Sequence, residues 1–456
     1  MPVSYQTAVA RMYALGHELA TTPSHKFDLA HMRVLLSALQ NPEKKFPSVL
    51  IAGTNGKGST AATLASILQT AGLKTALYTS PHLIRINERI RINGEEISDD
   101  KFALLHDVVE RTAERLIEDG ELPWHPSFFE MLTAMGFEHF ATSKVEIAVL
   151  EVGMGGRLDA TNVVQPLLSV ITDISLDHQK FLGNTIAEIA REKAGIIHPG
   201  GIVVTLPQSP AANDVIGHAV VEQNARAVSA VPYVPPVSPA SGNYFSLRSN
   251  TVASGPISRY PLQVMGEEIL VETPLVGRHQ LRNVALAIAA AEELSQKFQI
   301  TAESIETGVR QTRWPGRFQV ITAHGSAPEY IFDVAHNPAG AWALRSTLSA
   351  CYEDRRLIFV FGAMRDKAIG EISEILFPLA ERVIATRADS PRSATPEEIR
   401  EAASRTQADI ELALDVPSAL ERALSFTGTG AAIVVTGSIY VVGEAMRTLG
   451  VSVDGK

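Results

Sequence analysis

The chain has 456 residues, a length that predicts two or three domains. Of these residues 45% are hydrophobic and 20% are charged, a composition that excludes the fibrous and disordered classes of protein. The formal net charge of −10 at pH 7 argues against nucleic acid as a partner, because binding to phosphate backbones normally requires a basic surface. The single cysteine, Cys351, excludes an intrachain disulfide, and no apolar run approaches the ~20 residues of a membrane span, so we expect a cytoplasmic protein without a membrane partner.

Short apolar strands alternate with helical periodicity from Val49 onward, which predicts an α/β fold with a mostly parallel sheet. The strands predicted in this first series are Ser48–Ala52, Glu146–Val152, Leu168–Thr172 and Ile202–Thr205, with a helix at Pro126–Ala141. From Pro207 to Pro261 the chain is rich in Pro, Ser, Gly and Asn. Short alternating segments at Tyr244–Leu247 and, just beyond this range, Gln263–Ile269 predict an antiparallel flap or a small side sheet.

A second alternating series follows an alanine-rich helix at His279–Ser295 and a break at Arg313–Gly316. It predicts a smaller, Rossmann-like α/β domain. We therefore expect an N-terminal domain over 1–311 and a C-terminal domain over 312–456. The predicted strands are Tyr330–Val334, Leu357–Phe361, Arg382–Thr386 and Ala432–Thr436, and the predicted helices include Ala339–Ala350 and Pro396–Ser404.

A glycine-rich segment, AGTNGKGST, connects the first predicted strand to the following helix. Backbone N–H groups in such a loop bind phosphates at the positive end of the helix dipole, a lysine neutralises phosphate charge, and a hydroxyl can bind Mg²⁺. The pattern departs from the common P-loop, because Ile51 stands at the first glycine position and Gly58 follows the lysine. We predict a nucleotide site formed by Thr54, Asn55, Gly56, Lys57, Gly58 and Ser59.

The segment GTNGKGS is similar to the phosphate loop of the Mur ligase superfamily, specifically its folylpolyglutamate synthase and dihydrofolate synthase branch. Further segments that resemble this branch follow in the family's order along nearly the whole chain. They are SPHL and NERI (Ser80–Leu83, Asn87–Ile90), FFE (Phe128–Glu130), EVGMGGRLDATN (Glu151–Asn162), LDH (Leu176–His178), REKAGI (Arg191–Ile196), HQLRN (His279–Asn283), WPGR (Trp314–Arg317), DVAHNP (Asp333–Pro338) and VTGSIY (Val435–Tyr440).

The resemblance implies an ATP-binding Mur ligase domain with a folate site, followed by a glutamate ligase domain. It also implies an ATP-dependent ligase that adds L-glutamate to folates through an acyl phosphate. Bacterial members of the branch commonly join glutamate to dihydropteroate as well, so that second activity is expected. Folate or dihydropteroate, L-glutamate and ATP are the implied partners, and the expected state is a monomer.

The resemblance also assigns residues to two Mg²⁺ sites, with Lys193 as a carbamate that acts as an anionic ligand. Lys57, Lys193 and His178 are the implied catalytic residues. Taken alone, Glu151 could be a strand-end cap, His178 a hydrogen-bonded linker residue, and Lys193 a solvated ion-pair partner of Glu192. The implied metal ligands are Ser59, Ser80, Glu151, His178 and Lys193.

Residues for the nucleotide and the folate are implied in the same way. Asn283, Arg317 and Asp333 match family positions that contact ATP. Aromatic faces can stack on a flat heterocycle, although the two phenylalanines of FFE could instead be core residues at a helix start. The implied folate residues are Asp28, Leu29, Phe128, Phe129, Glu130, Leu158, Asp159 and Ala160.

Three rival functions make different demands on the sequence. Another Mur-type amino-acid ligase would share the phosphate loop without NERI and RLDATN. A non-catalytic ATP-binding switch would show losses at Glu151, His178 or Lys193, and all three are present. A simple kinase would accumulate a phosphorylated product whether or not an amine is supplied.

Overall fold

The structure is a computed structural model that describes residues 3–16, 29–236, 245–247, 255–321, 328–427 and 430–451. The chain divides into two compact units. The first comprises Met1–Val234, Gln263–Ile269 and Arg282–Val309, and the second comprises Pro235–Leu262, Leu270–Leu281 and Arg310–Lys456, in each case apart from the residues outside the described ranges. Within the described ranges, every helix is too short or too polar to cross a membrane.

The first unit contains an eight-stranded sheet with the order β4-β3-β2-β5-β1-β6-β7-β8. The six strands from β2 to β8 in that order pair in parallel, and β3 and β4 add an antiparallel edge. Strands buried on both faces are continuous apolar runs, which explains why β1 and β5 were recognisable. The strands are β1 (Ser48–Ala52), β2 (Thr75–Tyr78), β3 (Ile90–Ile92), β4 (Glu95–Glu96), β5 (Ile147–Glu151), β6 (Leu168–Ile171), β7 (Ile202–Thr205) and β8 (Arg226–Ser229).

Helices pack against this sheet, and several of them bury their apolar faces in a core that includes Met12, Leu35, Phe102, Phe137 and Leu150. The helix after β1 is buried over ten of its 14 residues, so its first turn is held firmly against the sheet. The helices are α1 (Tyr5–Ala14), α2 (Leu29–Ala38), α3 (Lys57–Thr70), α4 (Asp99–Glu118), α5 (Phe128–Thr142), α6 (Gln179–Leu182), α7 (Ile186–Ala194), α8 (Pro210–Glu222), α9 (Arg278–Leu294) and α10 (Ala302–Gln311).

The predicted antiparallel flap is present as a three-stranded sheet of β9 (Phe245–Leu247), β10 (Pro256–Val264) and β11 (Glu267–Thr273). The predicted strand Gln263–Ile269 is wrong in detail, because it spans a turn at Met265 and Gly266, which both have positive φ (53° and 82°). Two such residues in succession are typical of a tight hairpin. Tyr244, the predicted start of the first segment, lies outside the described residues.

The second unit contains a six-stranded sheet with the order β12-β13-β17-β14-β15-β16, in which only β12 is antiparallel. Its core includes Ile331, Phe359, Phe361 and Val434. The α/β fold class, with a mostly parallel first sheet and a second α/β unit, is confirmed. The strands are β12 (Gln319–Ile321), β13 (Glu329–Phe332), β14 (Arg356–Phe361), β15 (Arg382–Ala385), β16 (Ile410–Leu412) and β17 (Ala431–Thr436). The helices are α11 (Pro338–Cys351), α12 (Ile369–Leu376), α13 (Pro396–Ala402), α14 (Val416–Ser425) and α15 (Ile439–Thr448).

Four neighbouring parallel strands, β2, β5, β1 and β6, end at the same edge of the first sheet. Ligands of open α/β sheets bind at the carboxyl ends of the strands. Glu151 is the last residue of β5, and the segments that follow the other three strands carry Ser80, the loop from Gly53 to Gly56, and Asp173 to His178. The topology therefore brings the predicted phosphate loop next to most of the predicted metal ligands.

Candidate active site

The phosphate loop connects β1 to α3 and requires glycine at two positions. Gly56 caps α3 with φ of 90°, and a Cβ there would lie 2.1 Å from Oδ1 of Asn283. Gly53 has φ of 156°, and a Cβ there would lie 1.8 Å from Oγ1 of Thr172. The first contact places Asn283, predicted to contact ATP, directly against the loop.

Two lysine side chains converge on one carbonyl oxygen of this loop. Nζ of Lys57 lies 3.1 Å from the carbonyl oxygen of Gly53 and 3.2 Å from that of Thr54. Nζ of Lys193, on α7, lies 2.8 Å from the same Gly53 oxygen. Burial and then the positive charge of Lys57 lower the pKa of Lys193 to about 7, against the opposing effect of the carboxylates of Asp177 and Asp159.

Lys193 is not a solvated partner of Glu192, the alternative that the sequence left open. Lys193 is only 4% exposed. The carboxylate of Glu192 instead accepts a hydrogen bond from Nη2 of Arg157 at 2.9 Å. The amine is therefore enclosed beside the phosphate loop, where a change in its charge acts on whatever the loop binds.

Two of the predicted metal ligands meet at the carboxyl ends of β2 and β5. The backbone N–H of Ser80 donates to Oε2 of Glu151 at 3.2 Å, and Glu151 is 4% exposed. Ser59 is buried in the first turn of α3. These oxygen donors suit Mg²⁺, although the part of the chain that the structure describes holds no group of three or more His, Cys, Asp or Glu side chains arranged for a metal.

His178 stands at the start of α6 with a left-handed backbone (φ 50°). Its backbone N–H donates to Oδ1 of Asp177 at 2.8 Å, and its Nε2 lies 3.9 Å from Oδ2 of the same residue. The segment that carries His178 follows β6, the neighbour of β1 in the sheet. Its predicted role as a metal ligand remains a prediction.

Arg317 and Asp333, the other predicted nucleotide residues, belong to the second unit. Asp333 follows β13, and its carboxylate accepts hydrogen bonds from the backbone N–H groups of Phe318 and Ala335, both at 2.9 Å. Burial raises the pKa of Asp333, and the charge of Arg317 opposes that shift. A carboxylate has about four acceptor positions, so these two bonds leave the predicted ribose contact chemically feasible.

The first residue of the FFE segment is covered by protein. Phe128 is 3% exposed, its ring stacks on Tyr13 with centroids 6.0 Å apart, and the Arg89 guanidinium lies 5.3 Å from its centroid. Phe129 is only partly buried and meets Tyr78 edge to face at 6.0 Å. Phe129 is consequently the more accessible of the two rings.

Glu130 organises the start of α5. Its Oε2 accepts from the backbone N–H and the hydroxyl of Ser127, at 2.8 and 2.7 Å, which completes a capping box. Its Oε1 lies 3.1 Å from Nδ1 of His31, whose Nε2 lies 3.0 Å from the Trp124 carbonyl oxygen. Burial would raise the pKa of Glu130, but the hydrogen bonds from His31 and Ser127 outweigh it and lower the pKa. The sequence offered no signal for His31.

Asp159 shapes the loop after β5. Its Oδ1 accepts from the backbone N–H and hydroxyl of Thr161 at 3.0 and 2.6 Å, and its Oδ2 accepts from the Met154 N–H at 3.0 Å. Burial raises the pKa of its carboxyl group. Ala160 is buried and Leu158 is partly exposed beside it. Leu29 begins α2, whereas Asp28, predicted to contact the folate, lies outside the described residues.

Comparison with known proteins gives matches over most of the chain. The Mur ligase middle domain profile matches residues 129–291, and the profile of the Mur ligase glutamate ligase domain matches residues 316–439. A dihydrofolate synthase/folylpolyglutamate synthase of Bacillus subtilis is 35% identical over 428 residues, covering 92% of this chain and 94% of its own. A folylpolyglutamate synthase of Lacticaseibacillus casei is 32% identical over 450 residues, covering 98% and 99%. The structure of Mycobacterium tuberculosis folylpolyglutamate synthase complexed with ADP and AMPPCP aligns with a TM-score of 0.83 at 32% identity, covering 97% of this chain and 99% of that one.

Proposed function

The chain belongs to the folylpolyglutamate synthase and dihydrofolate synthase family of Mur ligases, and we infer that it is an ATP-dependent ligase that adds L-glutamate to folates, and to dihydropteroate, through an acyl phosphate. The observation that carries this function is the convergence of Lys57 and Lys193 on the Gly53 carbonyl oxygen. Lys57 supplies positive charge for phosphates at the glycine-rich loop, and Lys193 is the buried amine beside it that we propose to be carbamylated.

The chemistry follows from the poor leaving group of a carboxylic acid, which is hydroxide. Phosphorylation of the acid replaces hydroxide with phosphate, which leaves readily. A folate carboxylate oxygen attacks the γ-phosphorus of ATP, the bond to the β-phosphate oxygen breaks, and ADP leaves. The amine of glutamate then attacks the acyl carbon, the C–O bond breaks, and phosphate leaves as the nitrogen loses a proton. Both steps concentrate negative charge, so a site for them must supply positive charge and hydrogen-bond donors in fixed positions.

The phosphate loop supplies part of that charge. The N-terminus of α3, which begins at Lys57 directly after β1 and the loop, lies at the edge of the sheet where anions bind. An ammonium group has three donors, and two of those on Lys57 are directed to carbonyl oxygens of the loop. We assign the remaining donor to a phosphate oxygen of ATP.

Magnesium ions would be held by Ser59, Ser80, Glu151, His178 and a carbamate on Lys193. The contact of Ser80 with Glu151, and the burial of Ser59 at the start of α3, support this set. Bound Mg²⁺ neutralises phosphate charge and orients the oxygen atoms of the transferred group. The hydroxyl and carboxylate oxygens of this set suit a hard cation such as Mg²⁺, whereas the imidazole of His178 is a less usual ligand for it.

Carbamylation of Lys193 is supported by its pKa of about 7, which leaves a large fraction of the amine neutral at neutral pH. The neutral nitrogen attacks CO₂, a C–N bond forms, and loss of one proton leaves a carbamate anion. This change replaces two like charges near the Gly53 oxygen with an opposite pair. Electrostatic repulsion in a buried site is thereby converted to attraction.

We propose that the folate site lies at the start of α5, with Leu29, Phe129, Glu130, Leu158, Asp159 and Ala160 as contributors. Phe128 supports this site by packing against Tyr13 and Arg89 rather than by contacting the folate. Asp28 is included on its sequence match alone. In support, Glu130 connects α5 to α2 through His31, and Asp159 holds the loop that carries its two neighbours. These contacts are within the first unit.

We also propose that 1–311 is the ATP-binding and folate-binding domain and 312–456 the glutamate ligase domain. Arg317 and Asp333 are proposed to contact ATP, as their match to family positions implies. The matched profiles, over 129–291 and 316–439, fall on either side of that boundary. A cytoplasmic monomer is the proposed state, and a single cysteine in the whole chain is consistent with a reducing compartment.

The function is tested by incubating the purified protein with Mg-ATP, glutamate, and either tetrahydrofolate or dihydropteroate, and measuring the amide product by mass. The ligase produces one amide bond per phosphate released, and release requires all three substrates. Phosphate release that is independent of glutamate would contradict the ligase function. A phosphorylated acid that accumulates equally with and without glutamate would indicate a kinase.

A further inference from the structure

An ion pair outside the predicted site connects helix α9 to the segment after β6. Nη2 of Arg282 lies 2.6 Å from Oδ1 of Asp173, and its Nε lies 3.2 Å from both carboxylate oxygens. The same Nη2 donates to the Pro207 carbonyl oxygen at 3.1 Å. The guanidinium is therefore fixed in a fork-like geometry that a lysine cannot reproduce.

The backbone of Asp173 carries this connection to the phosphate loop. Its carbonyl oxygen accepts hydrogen bonds from the N–H groups of Thr54 at 2.8 Å and Asn55 at 3.2 Å. The side chain of Asp173 thus binds Arg282 while its main chain binds the two loop residues that precede Gly56. Any movement of Asp173 is transmitted to the loop.

The connection continues toward His178. The hydroxyl of Thr54 donates to the Ser175 carbonyl oxygen at 3.0 Å and accepts from the Ser175 N–H at 3.1 Å. Nδ2 of Asn55 donates to Oγ of Ser175 at 3.1 Å. Two consecutive loop residues, Thr54 and Asn55, are therefore hydrogen-bonded to Ser175 in the segment that leads to His178.

Helix α9 also reaches the loop at the next position, because Asn283 lies against Gly56. The side chains of Arg282 and Asp173 are 30% and 36% exposed, and an ion pair with that exposure contributes little to global stability. Its main effect should instead be on the position of the loop. We propose that Arg282 is a positioning residue that acts through Asp173 to hold Thr54 and Asn55, and with them the loop up to Lys57, in the conformation that binds phosphate. This inference depends on the proposed function of the loop in binding ATP.

The proposal is tested with Arg282→Gln, which removes the charge and the fork, and Arg282→Lys, which keeps only the charge. We expect Arg282→Gln to raise the KM for ATP roughly tenfold, the scale of losing one hydrogen-bonded charge pair that holds the loop. Arg282→Lys should recover only part of that loss. The KM values for folate and glutamate should remain unchanged, because the contacts of Arg282 and Asp173 lead to the phosphate loop and not to the residues proposed for the folate site.

A double-mutant cycle of Arg282→Gln with Asp173→Asn tests whether Arg282 acts through Asp173 or independently of it. If the two residues act as one unit, the double variant should be no worse for ATP than the poorer single variant. Additive losses, or an unchanged KM for ATP in Arg282→Gln, would overturn the proposal.

The chain offers a matched control on the same helix. Arg226 forms a two-point ion pair with Glu293 of α9, through Nη1 at 3.1 Å and Nη2 at 2.5 Å. Arg226→Gln breaks an equivalent pair away from the loop and should leave the KM for ATP unchanged. An ATP defect equal to that of Arg282→Gln would show a general effect of α9 and overturn the positioning role.

Lys57→Ala distinguishes this inference from the function on which it rests. If Lys57→Ala loses ATP affinity while Arg282→Gln retains it, the positioning role is wrong and the nucleotide site stands. If Lys57→Ala binds ATP as well as the unmodified protein, the proposed nucleotide site is wrong, and the positioning role is overturned with it.

Discussion

The ammonium groups of Lys57 and Lys193 share one acceptor, the carbonyl oxygen of Gly53, at 3.1 and 2.8 Å. Like charges this close in a buried position repel, and the pKa of Lys193 is lowered to about 7 by burial and by Lys57. The site can relieve this repulsion by binding an anion, by releasing the proton of Lys193, or by converting that amine to a carbamate. Each of the three is compatible with the proposed binding of Mg-ATP at this loop.

The first prediction concerns the carbamate on Lys193. In ¹³C-bicarbonate the protein should show a carbamate carbon signal by NMR, and Lys193→Arg, which keeps a positive charge but forms no stable carbamate, should lack it and lose turnover. Because carbamylation uses the neutral amine and releases a proton, the signal at fixed CO₂ pressure should fall as the pH falls below about 7 and rise above it. A signal of equal intensity in Lys193→Arg would contradict the assignment.

The second prediction concerns Lys57. Lys57→Ala should abolish amide formation while the melting temperature changes little, because its ammonium group contacts loop carbonyl oxygens rather than the apolar core. Isothermal titration with ADP and AMPPCP would measure the expected loss of nucleotide affinity. The control is Lys44→Ala, whose side chain is 72% exposed and should have no effect. Unfolding of Lys57→Ala would show that the lysine has a structural role.

The third prediction isolates the contact between Gly56 and Asn283. Gly56→Ala and Gly72→Ala both place a Cβ at a similar positive φ (90° and 87°), which costs ~1 kcal/mol. Only Gly56→Ala also meets Asn283, whereas no atom lies within 4 Å of a Cβ at Gly72. We expect a larger loss of unfolding free energy and weaker ATP binding for Gly56→Ala. Equal losses of unfolding free energy in both variants would show that the loop accommodates the Cβ at position 56 without an added cost from Asn283.

The sequence predicted the elements whose signal is local. Strands β1 and β7 begin and end where their apolar runs do, and the glycine-rich loop lies between β1 and α3 as expected. Helix α8 was missed, because the Pro and Ser that suggest an irregular segment also begin helices, here with Ser209 as the N-cap and Pro210 in the first turn.

The parts of the site that sequence reasoning missed depend on contacts between distant residues. Arg282 and Asp173 are 109 positions apart, and neither sits in a pattern that indicates a pair. The burial of Lys193 was likewise hidden, because the charged residues around it suggest a solvated helix face. The resemblance supplied its role, whereas only the packing of α7 against the loop accounts for its low pKa.

The fourth prediction separates the two phenylalanines at the start of α5. Phe128→Leu should lower the unfolding free energy by about 1 kcal/mol, the scale of a lost aromatic pair, and leave the KM for folate unchanged, because Phe128 packs against Tyr13 and Arg89. Phe137→Leu is the matched control, since Phe137 is a fully buried residue of the same helix. Phe129→Leu should raise the KM for folate. A selective folate defect in Phe128→Leu would place that ring in contact with the substrate.

The central claim is that the terminal phosphate of ATP is transferred to the folate carboxylate before glutamate attacks. It is tested most directly with a folate whose terminal carboxyl groups contain oxygen-18, followed by mass analysis of the released phosphate. The account predicts one ¹⁸O atom in each phosphate formed together with an amide bond. Released phosphate without ¹⁸O, in the presence of full amide formation, would contradict it.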